Sequence, residues 1–216
     1  MTDKDLKQHV ENALEWEPGV DPADIGVAAD EGVVTLRGTV PSYAEKMAAE
    51  RLALRIYGVK AVANDLQVKL PGSYKRTDTE IAQAAVHALR WNTTVPDNHV
   101  TLSVKDGWIT LGGMVDWQYQ SDAAARAVRE LAGVTGLTND IKVKPQAATG
   151  DVRARIETAF KRNAEIDARR IQVTAQDGKV VLTGNVHSWM ERQEAERAAW
   201  AAAGVNQVED RIRVVP

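Results

Sequence analysis

The residues of this chain that could do chemistry are four histidines, one His–Ser pair, a glycine-rich tetrapeptide and two recurring aspartates. His9, His87, His99 and His187 hold no equivalent positions and make no metal-ligand spacing such as His-Glu-x-x-His. His187 precedes Ser188, but a general base must reach its nucleophile in space, which adjacency in sequence does not provide. Leu111-Gly112-Gly113-Met114 lacks the third glycine of a dinucleotide-binding loop and falls inside an expected strand. Asp106 and Asp177 each precede a glycine, where a carboxylate caps its own backbone in a tight turn. The absence of cysteine excludes disulfides, thiolate metal sites and cysteine nucleophiles. The expectation is no enzyme, no cofactor and no metal.

Aromatic residues offer chemistry of another kind. Six tryptophans stand against one phenylalanine, and an indole joins a large apolar face to one hydrogen-bond donor, which suits a membrane interface or a partner protein. Trp16 and Trp91 end two equivalent helices and are expected to pack under the loops that follow. Trp108 takes the outward phase of its strand, where sister segments have Val33 and Lys179. Trp117 and Tyr119 stand at the start of a helix where the sisters offer Tyr43 and Trp189, and Trp200 replaces Leu54 and Arg129. The candidate lipid- or partner-binding residues are therefore Trp108, Trp117, Tyr119, Tyr43, Trp189 and Trp200. The competing expectation is that uncovered sheet faces and linking surfaces of neighbouring units pack on one another.

What positions these residues is a repeat. DEGVVTLRGTV at Asp30–Val40 returns as DGWITLGGMV at Asp106–Val115 and as DGKVVLTGNV at Asp177–Val186. Gly32, Gly107 and Gly178 stand 75 and 71 residues apart, and the same offsets align Gly38, Gly113 and Gly184 and then Gly58, Gly133 and Gly204. Three units are expected, at 1–71, 76–145 and 150–216, each small but long enough to bury a core alone. Each opens with an amphipathic helix, such as the one keeping Leu6, Val10 and Leu14 at helical spacing. Two alternating strands follow, joined by Glu-Gly or Asp-Gly, which supplies the positive φ of a tight hairpin. The period then returns to that of a helix, ended by Gly58, Gly133 or Gly204 as C′ residue, and a last strand precedes proline. The fold class is α+β: tandem α-β-β-α-β units, each a three-stranded mixed sheet with two helices on one face. The strand glycines Gly38, Gly113 and Gly184 mark a bulge or close packing, most simply of strand against helix.

Composition narrows the function classes. A hydrophobic share of 44% and a charged share of 26% fit packed domains. No apolar run is long enough for a membrane-spanning helix. A net charge of −3 gives no footprint for nucleic acid. Residues 1–74 carry −4, residues 75–148 are neutral and residues 149–216 carry +1, so an anionic surface would attract the third unit. The N-terminal MTDKDLKQHVENALEW has no secretory n-region or h-region, so the sequence as written reads as cytoplasmic, or periplasmic where a signal has been removed.

The pattern D-G-x-[VI]-x-L-x-G-x-V, an Ala-rich helix and then G-V-x-x-[VL]-x-[ND] resembles the BON domain family, in three tandem copies covering essentially the whole chain. In the first copy Gly32, Val34, Leu36, Gly38, Val40, Ala49, Gly58, Val59, Val62 and Asn64 carry the likeness; in the third, Asp210 replaces Asn64. The resemblance implies a non-catalytic protein of osmotic stress, associating with anionic phospholipid or with client proteins. The alternative it implies is an ion sensor, in which loop carbonyls of EPGVD or NTTVP would ligate potassium.

Overall fold

The computed structural model describes residues 2–145, 151–163 and 166–215. In the first repeat, α1 (Asp3–Glu15) leads to β1 (Ile25–Asp30), β2 (Val33–Val40), α2 (Tyr43–Arg55) and β3 (Ala61–Val68). The second has α3 (Asp78–Trp91), β4 (Val100–Lys105), β5 (Trp108–Val115), α4 (Gln118–Arg129), β6 (Gly136–Asn139) and β7 (Lys142–Val143). The third has α5 (Val152–Arg162), β8 (Ile171–Gln176), β9 (Lys179–Val186), α6 (Trp189–Trp200) and β10 (Gln207–Val214). Within each repeat the hairpin pairs antiparallel and the last strand joins its second strand in parallel. The expected third strand of the second repeat is interrupted: β6 and β7 lie along the same edge of β5.

Local chemistry accounts for these elements. Thr2 and Thr77 close capping boxes with Asp5 and Glu80, satisfying the first amides of α1 and α3. Glu31, Asp106 and Asp177 have φ of 46°, 52° and 50°, and the glycines after them 84°, 77° and 79°. Two consecutive left-handed residues make the turn whose twist matches the flanking strands. Phase then decides burial. Val34, Leu36 and Val40 are buried beneath the helices, as are Ile109, Leu111 and Val115 and their third-repeat partners. Each repeat has its own core.

Two expectations are corrected here. Gly38, Gly113 and Gly184 are not spaces for a helix. Their φ values are 125°, 116° and 128°, and a Cβ on each would lie 1.8, 2.1 and 2.0 Å from the carbonyl oxygens of Asp24, His99 and Arg170. Those carbonyls immediately precede the first strand of each repeat, so backbone crosses backbone there. Trp16 and Trp91 do not pack under loops: they are 86% and 78% exposed. Each lies two residues past a buried leucine, Leu14 or Leu89, and two residues turn an α-helix by about 200°, onto the opposite face.

Leu111→Ala is expected to lower the denaturant-unfolding free energy by about 2–5 kcal/mol through a cavity in a small core. Gly113→Ala removes no apolar contact, yet is expected to cost about 1–3 kcal/mol through the forced backbone conformation and the clash at the His99 carbonyl. An unchanged melt for Gly113→Ala would show that the strand crossing relaxes freely.

Candidate functional site

The second helix of each repeat has two sides to cover. One side lies on its own sheet through small residues, Ala49 and Ala53 in α2 and Ala195 and Ala199 in α6. Its start is tied down by a carboxylate or amide at a fixed position. Glu45 accepts the Asp21 amide at 2.7 Å, Gln120 accepts the Asp116 and Trp117 amides, and Glu191 accepts the Asp167 and His187 amides. Glu45 and Glu191 are buried, and sequence reasoning passed over them. The signal was present: Glu, Gln and Glu recur at the repeat offset with serine three residues before the glutamates.

The other side of these helices meets the neighbouring repeats, and aromatic residues make the joints. Tyr43, first in α2, packs on the core of the second repeat, with its hydroxyl near the Leu137 backbone. Burial holds that phenol above its ordinary pKa, offset by nearby Arg129. Trp189, first in α6, donates its indole N–H to the Lys60 carbonyl of the first repeat at 2.9 Å, and Arg192 covers its ring at 4.6 Å. Trp200, last in α6, packs on the cores of both the second and third repeats. The contacts run from first repeat to second, second to third and third back to first, so the chain closes a ring of three.

The joints are not equal. In strict register the counterpart of Tyr43 and Trp189 is Gln118, while Trp117 stands at the serine cap position of the other two. The joint between second and third repeats therefore has no aromatic at the first helical residue, its rings standing one residue to either side, and a cleft of about 770 Å³ lies between α4 and α6. Trp117, Tyr119 and Trp200 line it with Asp122 and Glu196. Burial, and then the Asp210 and Asp122 carboxylates, hold the Glu196 carboxyl above its ordinary value against the Trp200 indole and Arg192.

The sheet faces away from the helices do not form these joints. That of the first repeat carries the Arg37–Asp65 pair, and that of the third carries Lys179 and Arg211 on Glu209. Trp108, 49% exposed, folds along the second sheet, donating to Thr138 Oγ1 at 2.9 Å with its ring over Gly136. Of the six aromatic candidates the structure thus brings Tyr43, Trp189 and Trp200 into joints and Trp117 and Tyr119 into the cleft, and leaves Trp108 on an open face. Gly32, Gly107 and Gly178 are turn residues, and Gly58, Gly133 and Gly204 take positive φ just past the second helices. Among the described residues no cluster of three His, Asp or Glu side chains could hold a metal, and no helix is long and apolar enough to cross a membrane.

Residues 2–69, 77–145 and 148–216 each match the BON domain. The chain belongs to the BON domain family. It is similar to Osmotically-inducible protein Y of Escherichia coli (strain K12), 34% identical over 148 residues that cover 67% of this chain and 74% of that protein. Two solved structures from Chlamydia trachomatis are matched more loosely. One is described as CdsD, a structural protein of the type III secretion system, and the other as its C-terminal domain. They show 16% and 15% identity over 98% and 100% of this chain and 93% and 100% of theirs, each at a TM-score of 0.27, too low to carry an argument.

The joint between the second and third BON domains should respond to pH. With its folded-state pKa raised, Glu196 imposes no cost at a pH below its unfolded pKa of about 4.3, and the folded form loses stability as pH rises through the shifted value. Glu196→Gln keeps an acceptor for the Trp200 indole and removes the charge. Its melting temperature is expected to exceed that of the parent near neutrality and to converge with it in acid. A constant difference at every pH would assign the effect to packing.

Proposed function

We propose that this BON protein is a non-enzymatic, stress-related protein that binds anionic phospholipid surfaces peripherally. The single observation behind this reading is the exposure of Trp16 and Trp91 at equivalent helix ends. A ring closed by three successive head-to-tail contacts carries equivalent residues to equivalent heights. On this reading Trp16, Trp91 and their third-repeat counterpart Arg162 stand on one rim of that ring. Two indoles free to enter the headgroup layer, beside an exposed arginine and Lys161, match the chemistry of an anionic membrane surface. The name of the Escherichia coli relative speaks of osmotic induction and supports the stress-related part of the reading. The helical phase that buries Leu14 and Leu89 turns these two indoles outward.

Co-sedimentation with phosphatidylglycerol-containing and pure phosphatidylcholine vesicles tests this. Binding is expected to the anionic vesicles only, to weaken with salt, and to fall by about tenfold or more in the double variant Trp16→Ala, Trp91→Ala, whose melt stays within about 0.5 kcal/mol of the parent. Trp108→Ala is the matched control on the open sheet face. Anionic binding that survives the double variant and disappears in Trp108→Ala would move the lipid surface from rim to sheet. No binding to either vesicle would leave a client protein as the partner.

A further inference from the structure

We infer that the cleft between α4 and α6 is a docking site for a polypeptide segment presenting an aromatic side chain beside a basic one. The other two joints of the ring define its occupant. At one, Tyr43 packs on the core of the neighbouring domain beside the end of α4; at the other, Trp189 donates to the Lys60 carbonyl just past α2. Both plugs are aromatic rings with a hydrogen-bonding tip, carried at the first residue of a helix. At the third joint that residue is Gln118, and the vacated space is lined by Trp117, Tyr119 and Trp200. The cleft is continuous with an interface whose first-joint counterpart, beside Tyr43, keeps a pocket of only about 330 Å³. Its volume, about 770 Å³, falls within the range of sites that enclose a drug-sized ligand, room for an aromatic residue together with its neighbours.

Charge specifies the second feature. Asp122 of α4 and Glu196 of α6 line opposite sides and repel one another. Of the other charges at the cleft, Arg197 is held by Glu194 at 2.6 Å, Arg126 and Asp122 are both exposed, and Asp122 accepts from Gln118 Nε2 at 3.0 Å, which leaves half-buried Glu196 as the carboxylate that faces an occupant. A basic side chain entering beside half-buried Glu196 offsets the carboxylates around it, whereas an acidic one adds to them.

The test follows the indole N–H signals of Trp117 and Trp200 by NMR in the full chain, with acetyl-Trp-Lys-amide and acetyl-Trp-Glu-amide as probes. Both signals are expected to shift with the lysine peptide, at a Kd about three- to tenfold lower than with the glutamate peptide. Gln118→Trp supplies the missing plug, and is expected to raise the melting temperature and abolish the shifts; Gln118→Tyr, copying the first domain, is the second variant should tryptophan not fit. Three results would each overturn the inference: signals that stay still, equal affinity for the two peptides, or binding unchanged in a Gln118 variant that melts higher. Anionic vesicles that move these two signals when the peptides do not would also overturn it, in favour of lipid.

Discussion

Each domain of this protein depends on a crossover helix wedged between a sheet and its neighbours. The second and third strands of every repeat run parallel and adjacent, so the connection between them must cross one face of the sheet, and a helix is the compact way to do so. Alanine on the sheet side lets the helix approach closely, as Ala49 and Ala53 do in the first repeat. A small-sided helix buries little apolar area of its own. Covering its other flank with a second domain is the remedy, and the aromatic joints at Tyr43, Trp189 and Trp200 supply the area that alanine cannot.

Much of the fold was legible because local rules and global packing agree in it. The alternation of Val34, Leu36 and Val40 and the Asp-Gly turns each have one physical meaning, and three copies repeat it in register. What escaped the sequence required distances that no pattern encodes. That Gly38 faces a carbonyl and not a helix depends on where the chain lies before β1, more than ten residues away. The exposure of Trp16 was in principle available from helical phase, since Leu14 fixes the buried face, but recurrence at Trp91 argued for packing when it reflected a shared outward direction. Similarly, an aromatic at a helix start reads alike whether it meets lipid, partner or sister domain; only the closure of the ring separates Tyr43 and Trp189 from Tyr119.

The replacement of Asn64 by Asp210 shows how a departure from the family pattern can preserve a function of structure. In every repeat this side chain accepts the amide two residues on, at Leu66, Ile141 and Ile212, and its other atom reaches the second helix. Asn64 and Asn139 do so by donating, to the Lys46 carbonyl and to Ser121 Oγ. An aspartate cannot donate when ionised, so the third repeat needs a donor on the helix instead. Arg192 stands in register with Lys46 and Ser121, and its Nε lies 2.6 Å from Asp210. The direction of the hydrogen bond has reversed while the tie between last strand and second helix remains.

The same exchange of roles governs the joints, and it explains why the third is open. At the first joint the aromatic comes from the helix start and the opposing position, Arg129, is polar; at the ring's return to the first repeat, Trp189 faces a repeat with Leu54 at that position. At the second-to-third joint the aromatic has moved across to Trp200, leaving Gln118 opposite. At least one large ring stands at every joint, which keeps each neighbour partly covered. A ring rooted at the end of α6 cannot also fill the space in front of α4, because a side chain covers only the patch next to its own backbone. Trp200 therefore closes the half of the joint that lies on the second domain's core and leaves the other half as a cleft, with Trp117 and Tyr119 on its wall. Divergence between copies has thus made this cleft larger than the pocket of about 330 Å³ beside Tyr43 at the first joint.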